Sequence, residues 1–325
     1  MAENGFAVGV EALHPDWPEA RFNIPGMFVY HPIVMQLVGL MEAGFSCRLP
    51  IEAIHGAPAV RWNAGRAMRA GYNPAEFKGV LEFLYSKNIG YFPTFTNHLI
   101  EPSDLGDPVG NSILEHLGQR PDLNGVIVNS DLLSKYIAEK YPKLRQVASI
   151  IKVTFDEGRG RVDYYRELGE RFYRYMVHPD DCRDMLLLEQ LDREKAEIIV
   201  NENCVADCPS RVKHYEAYAR WQTAPSVVEQ QIVQQGINQI ASTCHSPFHM
   251  NRMGERQRSC NLSRGEMKTI HGMGFRHFKI QGRADDPYTF TYDLVRFMME
   301  PDFVVPLVYK SLCRWLEKVL VKTTT

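Results

Sequence analysis

Residues 196–211 read AEIIVNENCVADCPSR. The first five form an apolar run suited to one buried strand. The run turns polar at Asn201, Glu202 and Asn203, and two thiols follow, Cys204 and Cys208, in a C-x3-C spacing. Pro209 suits the first turn of a helix, where its missing N–H leaves no partner unsatisfied. A strand that ends in a polar cluster just before a helix is where an α/β protein keeps its chemistry.

Outward from this stretch, strand and helix signals alternate along the chain. Strands are predicted at 22–28, 51–55, 89–95, 125–128, 146–153, 173–178, 198–200 and 275–280. Helices are predicted at 31–43, 74–86 (with Asn73 as N-cap), 111–117, 132–140, 162–172, 180–191 and 301–319. A helical insertion, about 211–240, follows the seventh strand. Eight strands each followed by helix spell a single (β/α)8 TIM barrel over residues 1–325, with an insertion at about 211–272 between strands seven and eight. An open doubly wound sheet is the rival. It usually carries a glycine-rich phosphate loop after its first strand, and none is present here.

Composition bounds the function. The chain is 45% hydrophobic and 23% charged, ordinary for a globular protein, and its net charge of −2 offers no general attraction to nucleic acid or lipid. No apolar run approaches the ~20 residues of a membrane span. The first twenty residues lack the basic start and apolar core of a signal peptide, so a cytoplasmic location is expected. Seven cysteines in that compartment point to reduced thiols or metal ligands rather than disulfides.

The polar residues at the strand exits are His55, Thr96, Asn97, Asn129, Lys152, His178, Asp180, Asn201, Glu202, Lys279, Gln281 and Arg283. Singly they could be caps or turn formers; together they line one rim of a barrel. Cys204 and Cys208 lie just past strand seven, Cys244 and Cys260 in the insertion before strand eight, so both pairs approach the same mouth. Four thiolates can close a zinc or an iron–sulfur site, and the spacing does not separate the two. Cys313 reads as a core residue of the last helix, and Cys182 and Cys47 as buried residues within reach of the site.

The exit of the eighth strand, Phe278-Lys279-Ile280-Gln281-Gly282-Arg283, resembles the F/L-K-I-E-G-R signature of the collagenase-like peptidase family, first filed among peptidases of unknown catalytic type. Cys260-Asn261-Leu262 resembles the cysteine segment found about twenty residues upstream in that family, and Cys204 and Cys208 resemble its C-x3-C. The likeness covers mainly residues 196–283. It implies a 4Fe–4S cluster, since several members hold one on four cysteines and take part in oxygen-independent hydroxylation of ubiquinone precursors or RNA bases. Other members carry the name of protease. Two features depart from the family: Gln281 replaces the glutamate, and the glycine-rich cysteine run upstream of the C-x3-C is absent. The fourth ligand is therefore expected from Cys244, with Cys182 or Cys47 in reserve.

The expected function is an iron–sulfur TIM-barrel enzyme of redox or hydroxylation chemistry on a small molecule or RNA base, with zinc as the alternative metal. Cys204, Cys208, Cys244 and Cys260 would hold the metal. His55, His178 and Glu202 are the expected acid/base groups, because histidine titrates near neutrality and Glu202 adjoins the thiols. Arg66, Asn97, Lys279 and Arg283 are the expected substrate contacts, the arginines as planar forks for a carboxylate or phosphate. A related barrel is a possible hetero-partner. The rival readings are a metal-dependent hydrolase or peptidase, and a non-catalytic partner protein stabilised by its metal. No G-x-S-x-G, H-E-x-x-H or Walker motif supports a serine hydrolase, a zincin or a P-loop enzyme.

Overall fold

The computed structural model describes residues 13–45, 48–65, 70–242, 259–282 and 286–323. Its centre is a parallel sheet. The strands are β1 (Arg21–Pro25), β2 (Ile51–His55), β3 (Gly90–Phe92), β4 (Thr94–Phe95), β5 (Gly125–Val128), β6 (Arg145–Ala148), β7 (Arg174–Met176) and β8 (Ala196–Ile199), with β11 (His277–Lys279) near the end of the chain. Their spatial order is β3-β2-β1-β11-β8-β7-β6-β5-β4. The two ends of that order, β3 and β4, are halves of one extended segment. Pro93 separates them, since it has no N–H to give the ladder; its carbonyl still accepts from Ile127 N at 2.9 Å. The sheet therefore closes through residues 90–95 as an eight-stranded barrel, as predicted.

Alternation along each strand sends one side chain to the helices and the next into the lumen. Phe22, Ile54, Val128, Tyr175, Ile198 and Phe278 belong to the apolar layer under the helices. Ala53, Phe92, Ile127, Val147, Met176 and Ile199 fill part of the lumen. Near β1 the lumen is polar instead. Asn23, Glu197 and Lys279 are buried there, and Arg174 binds Glu52 at 2.7 Å with His277 Nδ1 3.4 Å from the same carboxylate.

The outer helices follow their local signals. Helix α1 spans His31–Phe45, and α2 spans Pro74–Ser86, capped by Asn73 Oδ1 as predicted. Helices α3 (Pro108–Gly118) and α4 (Asp131–Lys140) start one to three residues earlier than expected, on the side-chain caps Asp107 and Ser130. The strand predicted at 146–153 is corrected. Ser149 Oγ accepts from Ile151 N at 3.1 Å and starts a helix, α5 (Ile150–Phe155), so the β-branched run is split between strand and helix. Lys152 thus sits on α5, bound to Asp131 at 3.0 Å and Asp156 at 2.9 Å, and not at a strand exit. Helix α6 is Val162–Arg171. The helix predicted at 180–191 reduces to one short turn, α7 (Met185–Leu188), because Asp180 and Asp181 are held by arginines instead.

After Val200 the chain does not leave the sheet as a loop. It continues as β9 (Asn201–Val205), which pairs antiparallel with β10 (Ser259–Asn261), Ser259 opposite Val205 and Asn261 opposite Asn201. Between them lie the insertion helices α8 (Arg211–Thr223) and α9 (Val227–Ser242). Tyr215 and Ala219 of α8 pack on the lumen cluster, so this helix covers part of the mouth. Helices α10 (Arg264–Gly272), α11 (Pro287–Met298) and α12 (Pro301–Thr323) complete the order. Among the described residues no helix is long and apolar enough to cross a membrane.

Candidate active site

The β9–β10 ribbon rises from the mouth beside strand β11 and carries two of the predicted thiols. Cys204 is on β9, and Cys260 is on β10, between the two register pairs, where the register shifts. Cys208 comes at the turn into α8, and its thiol is hydrogen-bonded to that of Cys204. Cys204 and Cys208 are thus in contact, and Cys260 shares Glu202 and Arg211 with Cys204 as charged neighbours. Cys244, Cys47, Arg66 and Arg283 lie outside the described residues.

Arg211, the first residue of α8, organises the thiols, and sequence reasoning missed it. Its guanidinium donates to both oxygens of Asp180 at 2.9 Å, to Val205 O at 2.9 Å and, more weakly, to Cys260 Sγ at 3.7 Å. It also lies 2.9 Å from His178 Nε2. Cys260 in turn donates to Asp180 Oδ1 at 3.1 Å. Arg159 reaches Asp180 at 3.1 Å and Asp207 at 2.5 Å from the outside. The only sequence signal for Arg211 was its place directly behind C-x3-C-P-S.

The electrostatics follow from this packing. Burial opposes charge on Asp180, but the Arg211 hydrogen bonds and charge prevail and hold its carboxyl down at about 2. His178 is pushed down to about 4, first by burial and then by the Arg211 charge. Burial also pushes up the thiol of Cys260, with the Asp180 carboxylate adding to it. The hydrogen bond between Cys204 and Cys208 and then burial do the same for Cys204, and burial for Cys182. Left to themselves these are protonated thiols, because the Arg211 charge does not outweigh burial and the neighbouring carboxylates.

The other predicted residues divide. Glu202 is buried and accepts from Cys204 N at 2.9 Å and Gln281 Nε2 at 2.8 Å. That explains Gln281 physically: an amide can donate to Glu202, where a glutamate would repel it. Glu202 forms no ion pair with Lys279, whose charged neighbour is Glu197. Asn97 is buried with its amide given to Arg61 O at 2.7 Å and Ala219 O at 3.2 Å, so it ties α8 to the rim. His55 Nε2 is 2.9 Å from Ile280 O. Burial, reinforced by the charge of Lys279, pushes its pKa well below the usual histidine value. It stands in the lumen apart from the thiols and next to Lys279.

A solved structure, titled "The Structure of the U32 Peptidase Mk0906", resembles this chain with a TM-score of 0.50. The likeness covers 82% of this chain and 94% of the other, at 13% identity. The two chains share the barrel fold. This agrees with the collagenase-like resemblance of residues 278–283. At 13% identity the likeness speaks for the U32 fold and not for the reaction. No family model matches the sequence, and no curated protein matches it.

Donor chemistry at the mouth fits a thiolate-bound metal. Two soft sulfur donors, Cys204 and Cys208, are in contact, and the buried Arg211 guanidinium lies 3.7 Å from a third, Cys260. Among the described residues no group of three or more His, Cys, Asp or Glu side chains is placed to hold a metal ion.

Proposed function

We propose that the chain is a metal-dependent TIM-barrel enzyme whose centre is held by Cys204, Cys208 and Cys260, with Cys244 as the fourth ligand and a 4Fe–4S cluster as the group. The observation that supports this reading is Arg211, which lies 3.7 Å from Cys260 Sγ and is a charged neighbour of Cys204, itself hydrogen-bonded to Cys208. A cluster there would supply one-electron chemistry suited to oxygen-independent hydroxylation of a small molecule or an RNA base. Arg211 keeps its guanidinium beside Cys260 Sγ and balances thiolate charge, and Asp180 holds Arg211 in place. The aliphatic and aromatic faces of α8 exclude water from one side of the mouth. A cytoplasmic location, where thiols stay reduced, suits this centre. A related barrel remains the proposed kind of hetero-partner.

The peptidase reading draws on the name of the structural neighbour. Against a thiol mechanism, Cys260 bonds a carboxylate rather than a histidine, and its thiol is pushed up rather than activated. His178 has its Nε2 occupied by Arg211.

Anaerobic purification followed by iron, sulfide and zinc analysis tests the proposal. A brown protein with iron and sulfide is expected, with the colour lost in Cys204→Ser, Cys208→Ser and Cys260→Ser and kept in Cys313→Ser. Stoichiometric zinc without iron would select the zinc alternative. Full iron in Cys204→Ser would overturn the ligand assignment.

A further inference from the structure

Lys279 lies on β11 with its side chain in the lumen, 6% exposed, in register with Asn23 of β1 and Ile199 of β8. Among the described residues no hydrogen bond or ion pair reaches its amine. An ammonium so enclosed normally keeps a carboxylate in contact. The nearest acidic influence is Glu197, one lumen layer lower, whose own pKa burial pushes up. The surroundings are polar but incomplete. Asn23 Oδ1, Gln281 Oε1 and Glu197 Oε1 are enclosed and receive no hydrogen bond. His55 adds a neighbouring ring that stays neutral.

We propose that Lys279 is a carbonyl-capturing amine, a site in the barrel lumen for an aldehyde or ketone bearing a hydroxyl. The free amine adds to the carbonyl carbon, the carbonyl oxygen takes up a proton, and the carbinolamine loses water to give an imine. Atoms balance as amine plus carbonyl giving imine plus water, with no oxidant or reductant. A hydroxyl next to the carbonyl would donate to Asn23 Oδ1 or Gln281 Oε1, the acceptors now without a donor. Burial prepares the amine, since it lowers the Lys279 pKa to about 8. At pH 7 that leaves on the order of a hundredfold more free amine than an exposed lysine with a pKa of about 10.4. This site is separate from the thiol centre and does not depend on which metal the thiols hold.

The test uses the full chain as purified, propanal as the probe and sodium cyanoborohydride to reduce any imine to a stable propyl-amine, with peptide mass spectrometry as readout. At pH 7 Lys279 should gain the propyl group at least tenfold faster than the exposed lysines Lys78 and Lys135 in the same sample. In urea the preference should vanish. The proposal is overturned if Lys279 stays unmodified while Lys78 and Lys135 react, or if the preference survives in the unfolded chain. Both outcomes are read on Lys279 itself, so failure here leaves the metal reading untouched, and the reverse also holds.

Discussion

Individual residues at this site are tuned mainly by enclosure. Lys279 is the clearest case. Its folded pKa of about 8 lies below the unfolded value of 10.5, so between those two pH values the unfolded chain holds the extra proton. Folding carries the full cost of the buried ammonium below pH 8, sheds it as pH rises, and bears none above 10.5. Lys279→Met should therefore stabilise the fold at pH 7 by about 3 kcal/mol, an order-of-magnitude figure from ~1.4 kcal/mol per pKa unit. The gain should fade to near zero by pH 10.5 when urea midpoints are compared across pH. A stability loss at pH 7 would show that Lys279 has a structural partner. Gln281 makes the opposite case. Gln281→Glu puts two carboxylates where the present bond is 2.8 Å long, so stability should fall by about 1–3 kcal/mol at pH 7 and recover near pH 4 as one of the pair takes a proton. Equal midpoints at pH 7 would mean that Gln281 does not bond Glu202.

Elements were legible where their signals were local. Asn73 before Pro74, and the apolar period of 74–86, define α2 without tertiary help, and that helix has the predicted bounds. The run 146–153 misled because QVASIIKV carries β-branched residues throughout, while Ser149 can cap as well as pair. The ribbon was invisible for a different reason. Two- and three-residue pairings between 201–205 and 259–261 span more than fifty residues of chain, and nothing in either short segment marks the other as its partner. Arg211 was missed with it, since its partner Asp180 is distant in sequence. Once paired and buried, that salt bridge is costly to break from one side. Arg211→Ala should destabilise by about 3–5 kcal/mol, with Asp180→Ala adding much less in the double variant than alone. Additive losses in a double-mutant cycle would show that the two act separately.

Across the whole molecule, barrel closure rests on residues 90–95, where one segment serves two neighbours in turn. Gly90 makes this possible: a Cβ there would fall 2.0 Å from Leu123 O, a backbone atom that cannot move aside. Gly90→Ala should cost about 3 kcal/mol or more and broaden thermal unfolding, whereas Gly79→Ala, with open space around its Cβ, should be neutral or mildly stabilising. Near-UV circular dichroism on heating would check both, and an unchanged Gly90→Ala melting curve would contradict the closure described. The barrel itself was readable from eight alternating signals because each βα unit repeats the same local pattern. The split at Pro93 and the polar side of the lumen were not, since both depend on which strand lies opposite.

The antiparallel ribbon has one more consequence, for how this protein can change over time. β9 and β10 hold Cys204 and Cys260 together by their own backbone pairing. The chain between the end of α8 and β10 can lengthen, shorten or drift without separating those two positions, because added length in a closed loop costs little. Relatives should therefore differ most in length and sequence between α8 and β10, where new recognition surfaces can be tried while the thiol pair is inherited unaltered.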